Sequence, residues 1–167
     1  VDGVLTARLA LLEGRHPDPA ARMTFWEQAL TELRAIPGVQ AAGLTTQMLP
    51  ACNCYNNFDL LERPVGQDSE PQSAWVLVTS GMLETLGVPL LEGRTFNTGD
   101  TPDTPPVLLV TRSWADRYFP GESAVGKQVY EGGNREDPVT TGGVVGDVKY
   151  DGLDAPAETV FGYLNQG

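Results

Sequence analysis

The chain has 167 residues, of which 41% are hydrophobic and 20% charged, enough for one domain or two small lobes with a buried core. Its 22 acidic residues outnumber its 11 basic ones, and the net charge of −11 argues against nucleic-acid binding and against docking on an anionic membrane surface. No apolar run approaches the roughly 20 residues needed to cross a bilayer. The 19 Gly and 13 Pro indicate many turns and short elements rather than a helical bundle.

The first part of the chain predicts a strand, a helix and a second strand. Residues 4–12 alternate with leucines on one side, as in a half-buried strand. Asp18 followed by Pro19 is typical of a helix start, because Asp accepts free backbone N–H groups and Pro fits the first helical position. The helix is predicted to end at Pro37-Gly38, and residues 39–46 predict the second strand. Together these elements form a β-α-β unit.

The rest of the chain predicts short strands separated by turns and two short helices. The helices are predicted from Ser80 to Leu86, where Gly87 ends the helix, and from Thr111 or Ser113 to Phe119. The strands, predicted from β-propensity and turn boundaries, cover residues 58–62, 74–79, 88–91, 107–110, 126–130, 139–148 and 159–164. The strands at 74–79 and 88–91 make a second β-α-β unit. The Pro-rich stretch 97–106 indicates a lobe boundary, and the pattern is α+β.

Two features that look like sites are better explained structurally. The glycines of Gly142-Gly143-Val144-Val145-Gly146-Asp147 lie within a strand-like run and do not open a helix, so they indicate a bulge or close packing rather than a phosphate loop. His16, the only histidine, precedes the helix cap with no nucleophile or orienting carboxylate left for it. A surface turn is therefore the better interpretation than a general base.

Cys52 and Cys54, separated by one residue, are the only cysteines. In an oxidising compartment they predict a tight disulfide that closes the 47–57 loop, or pairing with another chain. The alternative is that the two cysteines form a redox site, although no helix N-terminus follows them to stabilise a thiolate.

Several carboxylates and three tryptophans complete the candidates. The acidic side chains match no Ca²⁺-binding loop and are explained as turn residues; they are Asp100, Asp103, Asp147, Asp151 and Asp154. Trp26, Trp75 and Trp114 are predicted to lie in the core. The sequence therefore predicts no catalytic, cofactor-binding or metal-binding residue.

The chain resembles a known family over nearly its full length, through a series of stretches in the same order. They include Ala21-Arg22 and Phe25-Trp26 on the first helix, and Gly93-Arg94-Thr95-Phe96, which is followed by Asp100 at the usual place. The other matching stretches are 6–9, 33–39, 78–92, 107–111, 115–121, 125–127 and 143–148. The series resembles the MacB-like periplasmic core domain of FtsX/MacB-type ABC transporter permeases, and is most similar to permeases with duplicated membrane halves. Met82-Leu83 replaces the family's usual Tyr-Phe, and Cys52 and Cys54 are not part of the pattern.

The resemblance implies an α+β domain with a porter-like β-α-β lobe, residues 1–96 and 149–167, and an inserted small Sabre-like α/β lobe, residues 97–148. It implies a position on the periplasmic face of the cytoplasmic membrane, between two transmembrane helices of a longer protein. The implied partners are those helices, a second permease half or an identical subunit, a cytoplasmic ATPase, and a periplasmic adaptor protein. It implies no enzyme and no cofactor: the domain transmits ATP-driven motion to export or to substrate handling outside the membrane.

Two other hypotheses stay open at this stage. The chain is alternatively a free-standing periplasmic module that binds a small molecule or peptide, which predicts a deep apolar pocket. A hydrolytic enzyme with paired acids would instead need two carboxylates converging in a cleft.

Overall fold

The computed structural model of this chain describes residues 3–11, 18–47, 54–63, 70–132, 136–148 and 158–166. The helices within them are α1 (Pro19–Ala35), α2 (Met82–Thr85) and α3 (Arg112–Tyr118). The strands are β1 (Tyr55–Leu60), β2 (Gln72–Val78), β3 (Leu90–Gly93), β4 (Val107–Thr111), β5 (Gln128–Glu131), β6 (Val139–Val145) and β7 (Thr159–Tyr163). The predicted mixture of helices and strands is confirmed.

The seven strands form one sheet in the order β3-β6-β4-β7-β2-β1-β5. Strand β5 pairs with β1 and also with β6, so six of the strands close into a ring and β3 lies outside it, paired with β6. The pairs β4–β6 and β2–β7 are parallel, and the others are antiparallel. Ring closure satisfies the backbone N–H and C=O groups that an open sheet leaves at its edges.

Both faces of this sheet are buried. Strand β4 shows this directly, because Leu108 belongs to one apolar cluster and the adjacent Leu109 to the other. The first cluster includes Trp114 and Phe119 and draws on five strands and α3. The second includes Leu83 of α2, and Phe96 beyond β3. The apolar run at 107–110 is therefore typical of a strand covered on both sides.

Helix α1 begins as predicted. Asp18 adopts an extended backbone and its Oδ1 accepts a hydrogen bond from Ala21 N at 2.7 Å. The helix ends before Gly38, which has a φ of +94°. Leu30 is buried, whereas Leu33, three residues further along the helix, is 43% exposed. Throughout the described ranges, no helix combines the length and the apolar character that crossing a membrane requires.

The first predicted β-α-β unit is wrong. Residues 4–11 form no strand, and Leu5 is 95% exposed; position 12 lies outside the described residues. An alternation of apolar and polar residues identifies a face that could be buried. A strand also needs the edge of another strand, because its backbone N–H and C=O groups require hydrogen-bond partners. Residues 39–46 form no strand but meet the sheet near the end of β2, where Thr45 makes an isolated bridge with Val78 and Thr46 N donates to the Leu77 carbonyl at 3.0 Å.

The second predicted unit is present in chain order as β2-α2-β3, but its two strands are not neighbours. Strands β7, β4 and β6 lie between them in the sheet. Ser80 does not cap α2; Gly81 occupies that position with a left-handed backbone, φ +85°. Gly87 ends the helix as predicted, with φ +68°.

Strands from both predicted lobes share this sheet. From the segment 97–148, β4 pairs with β7, β5 with β1, and β6 with β3. The described residues thus form one sheet across the predicted lobe boundaries. The division into a porter-like and a Sabre-like lobe stays a prediction.

Candidate functional site

A pocket of about 400 Å³ lies beside α2, where the end of α1, the segment 40–42 and the residues after β3 meet. Its volume is in the range of small-ligand sites, about 300–1,000 Å³. The polar lining side chains are Arg34, Gln40, Thr79, Ser80, Glu84 and Thr95. The apolar part of the lining includes Leu83, Phe96 and Leu109, which are buried core residues. The core of the domain therefore forms part of the pocket wall.

Arg34 joins three separate parts of the chain at this pocket. Its Nε and Nη2 donate to the carbonyl of Ala42 at 3.1 and 2.7 Å, and Nη2 also donates to the carbonyl of Ser80 at 2.7 Å. A Cβ at position 81 would lie 3.0 Å from Arg34 Nη2 and 3.2 Å from the Ala42 oxygen. The positive φ of Gly81 and this close approach both favour glycine there.

An ion pair between the half-exposed Arg94 and the buried Asp100 fixes the wall that carries Thr95 and Phe96. Asp100 accepts hydrogen bonds from Arg94 Nη2 at 2.6 Å and from Nη1 at 2.7 Å, and its Oδ2 also accepts from Asn97 N at 2.9 Å. The hydrogen bonds from Arg94 hold the pKa of the Asp100 carboxyl below its ordinary value. This pair explains the Gly-Arg-x-Phe…Asp pattern as a structural clamp on the turn after β3.

The ring of Phe96 is held from the other side by Tyr163. The two rings stack with centroids 4.9 Å apart and planes 9° apart. Burial raises the pKa of the Tyr163 hydroxyl, and the nearby Asp100 charge adds to that effect. The wall is therefore packed as part of the core rather than as a free loop.

The polar side chains of this pocket can hold a ligand through hydrogen bonds and charge. The described lining contains neither His nor Cys, and the Thr79 hydroxyl already accepts a hydrogen bond from Leu44 N at 2.8 Å. Among the described residues, no three His, Cys, Asp or Glu side chains are grouped so that they could hold a metal ion. A fixed cation beside hydroxyl and amide groups is suited to holding an anionic group.

The acidic residues that the sequence analysis named as candidates and that the structure describes lie in different parts of the fold. Asp100 is in the clamp, and Asp103 is exposed on the following turn. Asp147 Oδ1 accepts a hydrogen bond from Ser113 N at 2.9 Å, so it caps α3 from 34 residues away. Asp151 and Asp154 lie outside the described residues. The structure does not bring Asp100, Asp103 and Asp147 into one cluster.

The glycine motif has the structural role that the sequence indicates. The pairing of β6 with β4 shifts register between Leu108 and Leu109, opposite the Gly142-Gly143 pair. A Cβ at Gly142 would lie 2.5 Å from Val107 Cγ1, and one at Gly143 would lie 2.5 Å from the Arg94 carbonyl oxygen. The glycines thus allow a bulge and a close approach of backbone.

Other candidates lie partly outside the described residues. His16 and Cys52 are among them, so the turn position of His16 and the predicted Cys52–Cys54 disulfide stay predictions. Cys54 is described and packs against the apolar cluster that contains Phe96.

The three tryptophans differ in burial. Trp114 is fully buried, with its ring 4.9 Å from Tyr118 and 5.4 Å from Phe58 between centroids. Trp75 packs against the same cluster while partly exposed. Trp26 is partly exposed on α1. The core prediction is thus confirmed fully for Trp114 and in part for Trp75.

Sequence reasoning missed the pocket and its central residue, Arg34. The one local signal is its place in the last turn of α1, where cations commonly interact with free carbonyl groups. That signal does not reveal the bond to Ser80, 46 residues further along the chain.

Comparison with known proteins agrees with this architecture. The sequence profile of the MacB-like periplasmic core domain family matches residues 6–162, so the chain belongs to that family. No curated protein matches it.

Two solved structures share the fold at low sequence identity. The extracellular domain of the noncanonic ABC-type transporter YknZ from Gram-positive bacteria is 17% identical with a TM-score of 0.50; the match covers 83% of this chain and 62% of that one. The periplasmic region of MacB from Actinobacillus actinomycetemcomitans is 16% identical with a TM-score of 0.55, over 84% of this chain and 55% of that one. The chain thus spans little more than half the length of these structures.

Proposed function

We propose that this chain is the extracytoplasmic domain of an ABC transporter permease, placed on the periplasmic face of the cytoplasmic membrane. In this proposal it is not an enzyme: it transmits motion driven by ATP hydrolysis to export or to substrate handling outside the membrane. The observation that carries the proposal is the family match, which extends over residues 6–162.

A domain that transmits motion must move as a rigid body, and two features support this. The closed ring of strands leaves β3 as the edge of the described sheet. Side-chain bonds also fasten β3 to α3 and to the loop before β5: Arg112 Nη2 donates to Glu92 Oε1 at 2.6 Å, and Ser123 Oγ donates to Glu92 Oε2 at 2.7 Å. These two hydrogen bonds hold the pKa of the Glu92 carboxyl below its ordinary value, with the Ser123 bond the larger cause. Closely packed interiors transmit displacement instead of absorbing it.

The proposed partners follow from the permease role. They are the chain's own membrane helices, an identical subunit or a second permease half, and a cytoplasmic ATPase. A periplasmic adaptor protein is a further partner in this proposal. Nucleotide binding and hydrolysis would shift the population between two arrangements of the paired extracytoplasmic domains.

Distance measurements in the full-length transporter test this role. Genetically encoded spin labels at Glu32 and Asp103, both exposed, report on α1 and on the turn after β3. We expect the distance between equivalent labels on the two paired domains to change between the ATP and ADP states. The distance from Glu32 to Asp103 within one domain is the matched control, and we expect it to stay constant.

Two results would contradict the proposal. One is an inter-domain distance that is the same in both nucleotide states; the other is a parent reading frame that encodes no membrane helix on either side of this region. The second result would favour the alternative function, a free-standing periplasmic module that binds a small molecule or peptide. The pocket beside α2 is the observation that favours that alternative.

A further inference from the structure

We infer that the pocket beside α2 binds a carboxylate group, with Arg34 as the cationic anchor. The ligand class is an organic acid or a peptide that carries its carboxylate at the C-terminus or on an acidic side chain. The inference does not depend on the transport role, because the described lining residues all belong to one copy of this chain.

Arg34 has donors left for a ligand. A guanidinium carries five N–H groups, and the three hydrogen bonds of Arg34 use Nε and Nη2. Within the described part of the chain, Nη1 has no acceptor, and no carboxylate lies within ion-pair distance of Arg34. By contrast, Arg94 and Arg112 are each paired with a carboxylate.

The position of Arg34 is fixed before a ligand arrives. Its bonds to two backbone carbonyl groups hold the guanidinium against the segment 40–42 and the turn before α2. A side chain that is already ordered loses little conformational entropy on binding, which favours affinity. In a chain of net charge −11, a cation without an anionic partner in its described surroundings is not part of a general positive surface.

Neutral donors and an apolar floor complete the site. The side chains of Gln40, Ser80 and Thr95 line the pocket and make no hydrogen bond to other described residues. They are available to the second carboxylate oxygen or to a neighbouring amide. Leu83 and Phe96 offer apolar contact to the remainder of the ligand. Glu84 lies on the rim and is exposed, so it disfavours ligands with a higher negative charge, such as phosphate.

The test is an NMR titration of the whole chain at pH 7 and low salt, following the amide signals of Ser80, Gly81 and Thr95. N-acetyl-triglycine presents a terminal carboxylate, and N-acetyl-Gly-Asp-Gly-amide presents a side-chain carboxylate. N-acetyl-triglycine amide is the neutral control, and inorganic phosphate tests for general anion binding. We expect saturable shifts with one or both carboxylate peptides, and which one binds identifies the source of the group.

A matched pair of variants tests the position of the site. Gln40→Glu places a competing carboxylate in the pocket without removing a bond of Arg34, and we expect it to raise Kd about tenfold or more. Gln28→Glu makes the same change at an exposed position on α1 outside the pocket, and we expect no change in Kd beyond about twofold. Glu84→Gln removes the rim charge, and we expect it to lower Kd about twofold or more.

Four results would overturn the inference. They are no saturable shifts with either carboxylate peptide, equal shifts with the neutral amide, phosphate binding as tight as that of the peptides, and equal effects of Gln40→Glu and Gln28→Glu. None of these concerns membrane helices or nucleotide states, so failure of this inference is distinguishable from failure of the transport proposal.

Discussion

The Arg94–Asp100 ion pair offers the sharpest test of how the pocket wall is held. The two side chains differ in burial: that of Arg94 is 47% exposed and that of Asp100 is 6% exposed. Removing one partner should therefore have a different effect from removing the other. We compare Arg94→Met, which leaves the buried carboxylate, with Asp100→Asn, which leaves the half-exposed guanidinium.

We expect the two losses of stability to be unequal at pH 7. In Arg94→Met, the Asp100 carboxylate keeps only its bond from Asn97 N in a buried place, and the loss should be about 2–3 kcal/mol. In Asp100→Asn, water solvates Arg94 and the amide oxygen still accepts a hydrogen bond, so the loss should be about 1–2 kcal/mol. Arg63→Met breaks an exposed pair with Glu122, at 3.3 Å, and is the control, with a loss below about 0.5 kcal/mol.

The pH dependence gives the second part of this test. The folded-state pKa of Asp100 lies below the ordinary 3.8, so the ion pair stabilises the fold above that pH and its contribution is lost as the pH falls through the lowered folded value. In Arg94→Met the part of this lowering that Arg94 causes is absent, while the hydrogen bond from Asn97 N remains. Urea unfolding at pH 7 and pH 3 should therefore show a smaller gap between wild type and Arg94→Met at the lower pH. Two results would refute the reasoning. One is an equal loss of stability in Arg94→Met and Asp100→Asn; the other is a difference in stability between wild type and Arg94→Met that is as large at pH 3 as at pH 7.

Three further tests of the fold use urea unfolding at pH 7. Trp114→Leu should lose about 3 kcal/mol, because it removes a fully buried ring from an aromatic cluster; a loss under 1 kcal/mol would contradict the packing. Asp147→Ala should lose about 1 kcal/mol by removing the cap on α3, while Asp103→Ala on an exposed turn should change little. Gly143→Ala should lose roughly 2–3 kcal/mol, since its Cβ would lie 2.5 Å from a backbone oxygen. Gly162→Ala should lose less, because its neighbour at 2.7 Å is the flexible end of Leu77, and the reverse order would count against this account.

The features that were predictable from sequence depend on neighbours in the chain. Asp18 caps α1 because its side chain reaches Ala21 N, three residues away. Gly38 and Gly87 end helices because they adopt a positive φ, which has little cost for glycine. Strands β2, β4 and β7 follow runs of β-branched and aromatic residues that fit a buried sheet.

The wrong predictions concern segments whose structure depends on residues far away in the chain, which the local sequence pattern does not reveal. Residues 4–11 alternate like a strand, yet no described strand edge pairs with them. The segment 39–46 has strand-like composition, but Arg34 binds the Ala42 carbonyl, which places this part of it in the pocket lining. The sequence around Asp147 predicts a turn residue, whereas the hydrogen bond from Ser113 N shows that its side chain caps α3.

By itself, then, the sequence determined the mixture of helices and strands, most of the strands, the ends of α1 and the family, because these follow from local propensity and from an ordered series of motifs. The tertiary structure decided which strands are neighbours, how β5 closes the ring by pairing with β6, and that a pocket lies beside α2. The physical reason is that closure and cavity both depend on contacts between distant parts of the chain. Arg34 and Ser80 are 46 residues apart in the chain, and only the folded domain brings them within hydrogen-bond distance.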